Sequence, residues 1–565
     1  MINFKDEIAD ILFKENIEIS KEKIKELIEI PKNTEMGDFS FPCFILAKSM
    51  RKNPAVIAEE IAKNLNSDLF EKINSLNAYI NFFINKKFFI NDCLNDVIVQ
   101  KEKYGSQTLG SGKNIIVEYS SPNIAKPFHI GHIRTTLIGD SIKRIYKFLG
   151  FNVTGINYIG DYGTQFGVMI AAYRLWGDDE KIKKNPIKEL MNLYVKYNKE
   201  SENNPEMMDV ARDNFNKLEN GSEEEIKIWQ WMKQISLEEF DRVYKMLGIE
   251  FDNYNGEYYN SKRINDVIEE LRDKNLLTKS QGAEIVDLSK FNIPSVIIIK
   301  SNGSSTYLAR DLATAEHRKI DYDFNKNIYV VASQQDLHFI QMKKILNLMG
   351  YDWADDCIHV NFGMVSLKDG AMSTRKGRVV FLEDVINKSI EKTENLISEK
   401  NPNLENKEEI AKKVGIGAIK FQELYNSRIK DYTFDWDEVL NFDGETGPYV
   451  QYTYARSRSI LRKGNFKETS IDKFENLNTD IEFELTKSIN NFKDSIEKAM
   501  LKNEPSIISR NIMEIAKLFN KYYNSVPILV DDEILKKERM SLVYASSIVI
   551  KIGLNLLGID TVEKM

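Results

Sequence analysis

The tetrapeptide His129-Ile130-Gly131-His132 closes the run SSPNIAKPFHIGH that begins at Ser120. Imidazole N–H groups can donate to phosphate oxygens, and Gly131, lacking a side chain, lets a flat nucleotide approach the backbone. At a helix start, where free backbone N–H groups and the positive dipole end favour an anion, such a pair suits a bound triphosphate attacked in line at its α-phosphorus. No GxGxxG is present, so a dinucleotide site is not indicated. A second stretch, AMSTRKG at 371–377, sets Met372 and Ser373 before Arg375 and Lys376, with Arg378 just beyond. By itself it reads first as an ordinary solvated basic turn, with an arm that holds polyphosphate as the alternative. Glu118, inside the apolar run IIVEY at 115–119, is a charge that needs a partner. Tyr307 and Asp311, four apart, share a helix face, and Gln335 follows the apolar run NIYVVA.

These residues need strand ends and helix starts to carry them. IIVEY reads as a strand, and Ile130 to Leu149 reads as a helix, with Ile133, Leu137, Ile142, Ile145 and Leu149 near the 3.6-residue period and Gly150 as its cap. VTGINYI supplies the next strand, so 114–159 forms a βαβ unit of a parallel sheet with ligands at its carboxyl ends. The pattern resumes with NIYVVA, a helix from Asp336 to Met349, and IHVNF. Between the two blocks lies a charge-rich, mostly helical insertion at about 180–300, ending in a hairpin turned by Asn302-Gly303. Residues 1–110 read as a small α+β domain that ends in KEKYGSQTLGSGKN, a linker with nothing to bury. Residues 111–440 read as an α/β domain carrying the 371–378 loop, and 441–565 as an all-α bundle.

Composition narrows the partners. The chain is 42% hydrophobic and 29% charged, with a formal charge of −7, which argues against blanket adhesion to nucleic acid and leaves room for a discrete basic face. Three cysteines make no CxxC pair, which suits a reducing compartment, the cytoplasm. Of five histidines only His129 and His132 are close, without a Cys or carboxylate at ligand spacing, so no zinc site is expected. The opening MINFKDEIADILFKEN reads as an amphipathic helix and not as a leader, and no apolar run is long enough to span a membrane. In YTYARSRSILRK, Tyr452 interleaves with Arg456, Arg458, Arg462 and Lys463, which suits either unpaired bases and phosphates or an amphipathic helix packing its aromatics in a core.

HIGH at 129–132 and MSTRKG at 372–377 occupy the places of the two signature motifs of class I aminoacyl-tRNA synthetases, which the chain resembles. SSPNIAKPFHIGHIRTTLIGD, NYIGDYGTQFG, TYLARDLATAEHR, ETGPYVQYTYARSRSILRK and the terminal LGIDTVEKM narrow the resemblance to the arginyl-tRNA synthetases, and PKNTEMGDFSF resembles that family's additional N-terminal domain.

The resemblance implies a Rossmann-like class I catalytic domain and ATP-dependent ligation of L-arginine to tRNA(Arg) through an arginyl-adenylate, with Mg2+ accompanying ATP. It implies catalytic roles for His129, His132, Lys126, Ser373, Arg375 and Lys376, and nucleotide contacts from Pro122, Asn123, Phe128, His129, Ile130, Gly131, His132 and Met372. Glu118, Asn123, Tyr307, Asp311 and Gln335 match the family's arginine pocket position by position. Anticodon recognition falls to the C-terminal bundle, through Tyr452, Arg456, Arg458 and Arg462, and tRNA elbow contact to residues 1–110. A monomer is expected, and one that activates arginine with tRNA bound. In the broader class the second motif usually reads Lys-Met-Ser-Lys-Ser; here Ala371 and Thr374 stand at the two lysine positions, and the resemblance to arginyl members with this altered loop makes Lys126 the expected substitute charge. Two other readings stand beside this one: a different HxGH nucleotidyltransferase making a small nucleotide product, and a non-catalytic tRNA-binding relative.

Overall fold

The apolar run ending at Ile84 folds as one strand of a three-stranded antiparallel sheet, β1 (Phe39–Pro42), β2 (Phe70–Leu76) and β3 (Tyr79–Ile84), ordered β1-β3-β2. Ile80, Phe82 and Ile84 are buried at every second position, the period of a strand with one face on a core. This computed structural model describes residues 3–15, 17–31, 33, 36–125, 128–261, 263–367, 381–435, 444–468 and 473–565. Helix Lys86–Gln100 leads out of the first domain and packs on the C-terminal helices Asp480–Lys502 and Glu533–Leu556. The expected linker is docked as well: Tyr104 is fully buried and its hydroxyl donates to Ile489 O at 3.3 Å. An aromatic among small polar residues gave no periodicity by which its burial could be read.

Strand β4 (Asn114–Glu118) is buried along nearly all its length, as expected for a parallel strand covered on both faces. A 3-10 turn at Ile130–His132 opens helix Ile133–Phe148, which returns the chain to β5 (Asn152–Ile156), with Gly150 left-handed at φ 86° after the helix. This central helix is buried even at Arg134, Thr135, Asp140, Ser141 and Lys143. Each finds a partner: Thr135 Oγ1 donates to Val330 O at 2.7 Å, Ser141 Oγ to Leu556 O at 2.9 Å and Lys143 Nζ to Glu250 O at 2.8 Å. The helix therefore touches the sheet, the C-terminal bundle and the insertion at once.

The insertion is helical as far as Asp273, its longest helix being Glu223–Met246. Its end departs from the expected helical run: β6 (Leu277–Ser280), β7 (Ala283–Val286) and β8 (Val296–Ile299) form an antiparallel sheet. Gln281 and Gly282, both at positive φ, turn β6 into β7, and Gln is not among the residues that flag such a turn. The Asn302-Gly303 turn is present but short; it pairs Ile299 with Ser305 and passes straight into helix Tyr307–Tyr322.

Strands β9 (Lys326–Ala332) and β10 (Cys357–Phe362), joined by helix Asp336–Met349, complete a parallel sheet ordered β10-β9-β4-β5. A two-stranded parallel pair, β11 (Val365–Leu367) and β12 (Tyr432–Phe434), stands beside it. Helices Leu382–Lys400 and Lys407–Tyr425 follow, and the four described helices from Gly447 to Leu556 form the C-terminal bundle. No described helix is long and apolar enough to cross a membrane.

Candidate active site

From β4 the chain first builds β5 on one side and later places β9 on the other, so the order reverses at β4. A crevice opens at such a switch point, outside the carboxyl ends of the strands. The loop that leaves β4 there is strained: Ser120, Ser121 and Ala125 sit at φ 72°, 48° and 59°. Hydrogen bonds hold it, from Ser120 N to Thr135 Oγ1 at 3.0 Å, Ser121 N to Asn157 Oδ1 at 3.1 Å and Ala125 N to Ser236 Oγ at 3.0 Å. Tyr244 OH bonds Ser120 Oγ at 2.7 Å and accepts from Asn157 Nδ2 at 3.0 Å. Phe128 packs against Phe240 and Tyr244. Ser236, Phe240 and Tyr244 all lie on insertion helix Glu223–Met246. Their four-residue spacing puts them on one face, the signal that could have marked this helix as the loop's buttress.

The two histidines fix each other. Gly131 N–H donates to His129 Nδ1 at 3.0 Å, and His129 N–H donates to His132 Nδ1 at 3.2 Å. With Nδ1 accepting in both rings, the proton of each neutral imidazole sits on Nε2. Burial also pushes the His129 pKa down, which favours the neutral ring. The rings lie 4.0 Å apart between centroids, and His132 stacks on Phe128.

The segments flanking 368–380 meet the same loop and the helix that follows it. Phe381 pairs with His129 as an antiparallel bridge, and Leu382 N donates to Phe128 O at 3.0 Å. On the other flank, Arg134 Nη1 donates to Gly363 O and to Lys430 O, both at 2.8 Å, at the base of β11 and β12. Arg134 also lies 3.3 Å from the buried Glu423 of helix Lys407–Tyr425. Lys126, Met372, Ser373, Arg375 and Lys376 lie outside the described residues. Pro122 O accepts from Gly160 N at 3.1 Å, Ile130 is buried, and Asn123 Oδ1 accepts from Gln165 Nε2 at 3.4 Å.

Beyond the loop that leaves β4 lies a group of carboxylates. Glu118 Oε2 is 2.6 Å from Arg318 Nη1, with both side chains nearly inaccessible. Burial works against the Arg318 charge, but Glu118 and Tyr329 outweigh it and keep the guanidinium protonated. Glu118 thus has the partner its place in the strand demanded, supplied from within the protein. Asp311, on the same helix as Arg318, meets His338 Nε2 at 2.6 Å through Oδ2. Tyr307 is 66% exposed, and Arg310 reaches over its ring and that of Tyr162. Glu257 pairs with Arg310 at 3.2 Å, and burial raises its carboxyl to about 7. Gln335 is exposed just before helix Asp336–Met349. Sequence reasoning missed Arg318, Glu257 and His338; Arg318 could have been found as the basic residue seven positions from Asp311 on one helix face.

The four C-terminal residues divide into two pairs. Tyr452, 39% exposed, and Arg456 form a stack with Tyr523, the Arg456 guanidinium lying 4.6 Å and 5.0 Å from the two rings. Arg458 and Arg462 instead pair with Glu563 at 3.1 Å and 3.3 Å.

Three family models match the chain: tRNA synthetases class I (R), catalytic domain, over 93–436; DALR anticodon binding domain, over 450–565; and arginyl tRNA synthetase N terminal domain, over 3–84. Arginine–tRNA ligase from Halothermothrix orenii is 56% identical, and that from Clostridium botulinum 52%, each over 100% of both chains. The arginyl-tRNA synthetase structure from Thermus thermophilus aligns with TM-score 0.82 at 25% identity, and that from Plasmodium falciparum with 0.80 at 26%, each covering 100% of this chain and 99% of the other.

Proposed function

The chain belongs to the class I arginyl-tRNA synthetases, and from that premise we propose how its residues attach L-arginine to tRNA(Arg) with ATP. The arginine carboxylate attacks the α-phosphorus of ATP, a new P–O bond forms, and pyrophosphate leaves. A hydroxyl of the terminal tRNA adenosine, the 2′-hydroxyl in this class, then attacks the adenylate carbonyl, and AMP departs. Charge builds on phosphate oxygens in the first step, and the Nε2–H groups of His129 and His132 are the donors suited to meet it.

Asp311 and Tyr307 hold the guanidinium in this reading, with Glu118 and its Arg318 partner forming the buried wall behind them. Asn123 and Gln335 serve the amino and carboxylate end. Pro122, Phe128, Ile130, Gly131 and Met372 line the nucleotide. Lys126 supplies the phosphate charge that the altered 371–378 loop lacks, while Ser373, Arg375 and Lys376 close over ATP. Magnesium travels on the ATP phosphates, held mainly by phosphate and water. Among the described residues no cluster of three or more His, Cys, Asp or Glu could hold a metal.

Residues 111–440 form the catalytic domain, 1–110 touch the tRNA elbow, and 441–565 read the anticodon, with Tyr452 and Arg456 better placed to meet a base than Arg458 and Arg462. The enzyme works as a monomer in the cytoplasm, where translation takes place.

The observation that carries the catalytic assignment is the Nδ1 lock on both histidines, made where Phe381 joins the nucleotide loop. The test is arginine-dependent ATP–pyrophosphate exchange with tRNA present. His129→Ala and His132→Ala are each expected to lower the rate by on the order of 100-fold, about 3 kcal/mol. Lys126→Ala is expected to cost far more than Arg378→Ala, with tRNA affinity nearly unchanged. Rates within twofold of the parent for both histidine variants would remove the imidazoles from the mechanism, and equal small effects would return Lys126 to the solvated surface.

A further inference from the structure

We propose that His338 is the positioning residue for Asp311, holding that carboxylate in the plane that receives a guanidinium; this rests on the arginine pocket assigned above. His338 lies in the first turn of helix Asp336–Met349 and reaches Asp311 on helix Tyr307–Tyr322, with Nε2 2.6 Å from Oδ2. Its ring stands edge-on to Phe339, which in turn stacks on His359, so the imidazole is itself held.

The charge pattern gives the contact its meaning. Glu118 is paired with Arg318, Glu257 with Arg310 and Asp161 with Lys233. Each of those carboxylates is balanced by a permanent cation or a lysine. Asp311 instead meets an imidazole, which can donate a hydrogen bond while neutral and so leave the carboxylate charge for a ligand. A carboxylate offers about four lone-pair sites, and one bond to Oδ2 leaves a two-oxygen face for a guanidinium fork. Without His338, the Asp311 carboxylate loses the bond at Oδ2 that fixes its plane, and a guanidinium would meet a carboxylate no longer held for it.

The test measures exchange kinetics for His338→Ala, His338→Gln and Asp311→Asn, with arginine and with lysine, alongside melting temperature. For His338→Ala, the KM for arginine is expected to rise roughly 10- to 100-fold, the range for a hydrogen bond to a charged group, with kcat and the KM for ATP nearly unchanged. His338→Gln, whose amide can donate in the imidazole's place, is expected to recover most of that loss. The preference for arginine over lysine narrows in His338→Ala and returns in the Gln variant. If Asp311→Asn raises the arginine KM and both His338 variants leave it unchanged, the positioning role is wrong and the pocket stands. If Asp311→Asn itself leaves the arginine KM unchanged, the pocket assignment fails. A fall in kcat for every substrate together with a lower melting temperature, unrelieved in His338→Gln, would reduce His338 to a packing residue.

Discussion

Glu423 is buried on helix Lys407–Tyr425 with its carboxyl near Arg134, two residues past His132. Burial raises that carboxyl from its ordinary 4.5 to about 8, with Arg134 opposing the shift. In the folded protein the group keeps a proton that the unfolded chain has already released above pH 4.5, so folding gains from it below that value and loses the gain as pH climbs toward 8. Glu423→Gln mimics the protonated form at every pH. The melting temperature of the parent minus that of the variant should therefore fall steadily from pH 5 to pH 8, and a constant difference would refute the assignment. Single residues were legible in the sequence where their chemistry was local. The need of Glu118 for a partner could be argued from its strand, but Arg318 stands 200 positions away in the chain. His338 is three residues past Gln335 and carries no motif, so only the fold joins it to Asp311.

At the scale of elements, the βαβ unit and the central helix could be read from the periods of apolar residues, because a covered strand or helix face shows its period whatever part of the chain covers it. The role of insertion helix Glu223–Met246 went unread, although Ser236, Phe240 and Tyr244 mark one face of it. Its sequence reads as a charge-rich surface helix, yet Tyr244 and Ser236 hold the strained loop that carries the histidines. Tyr244→Phe removes the hydroxyl joining Ser120 and Asn157 and leaves their polar atoms short of a partner. At about 1 kcal/mol for each lost hydrogen bond, the KM for ATP should rise roughly 5- to 30-fold, with the arginine KM changed less. Initial-rate kinetics in both substrates measure this, and equal effects on the two would mean that the helix supports the fold generally and not the loop that carries the histidines. The β6–β7 hairpin escaped notice for a different reason: Gln281 occupies a left-handed turn position that Asn, Asp or Gly usually fills.

Across the whole molecule, composition, periods and the linker suggested where the chain divides, but nothing in them showed how the parts pack. The first domain rests on the C-terminal bundle, with Lys487 paired to Asp38 at 2.5 Å, Lys86 to Asp480 at 2.9 Å and Lys551 to Glu102 at 2.5 Å. Such half-exposed pairs each contribute little, so the buried side chain of Tyr104 and the apolar face of helix Lys86–Gln100 hold the contact while the charges orient it. The central helix follows the 120–132 loop and packs against the same bundle, which ties the parallel-sheet part and the C-terminal helices together. What the molecule does is tested most directly by ATP–pyrophosphate exchange with each of the twenty amino acids in turn, with and without tRNA(Arg). Arginine alone should support exchange, with lysine weaker by roughly 10⁴-fold, as expected of a site built around a bidentate partner. Exchange driven by lysine or leucine and not by arginine would contradict the account.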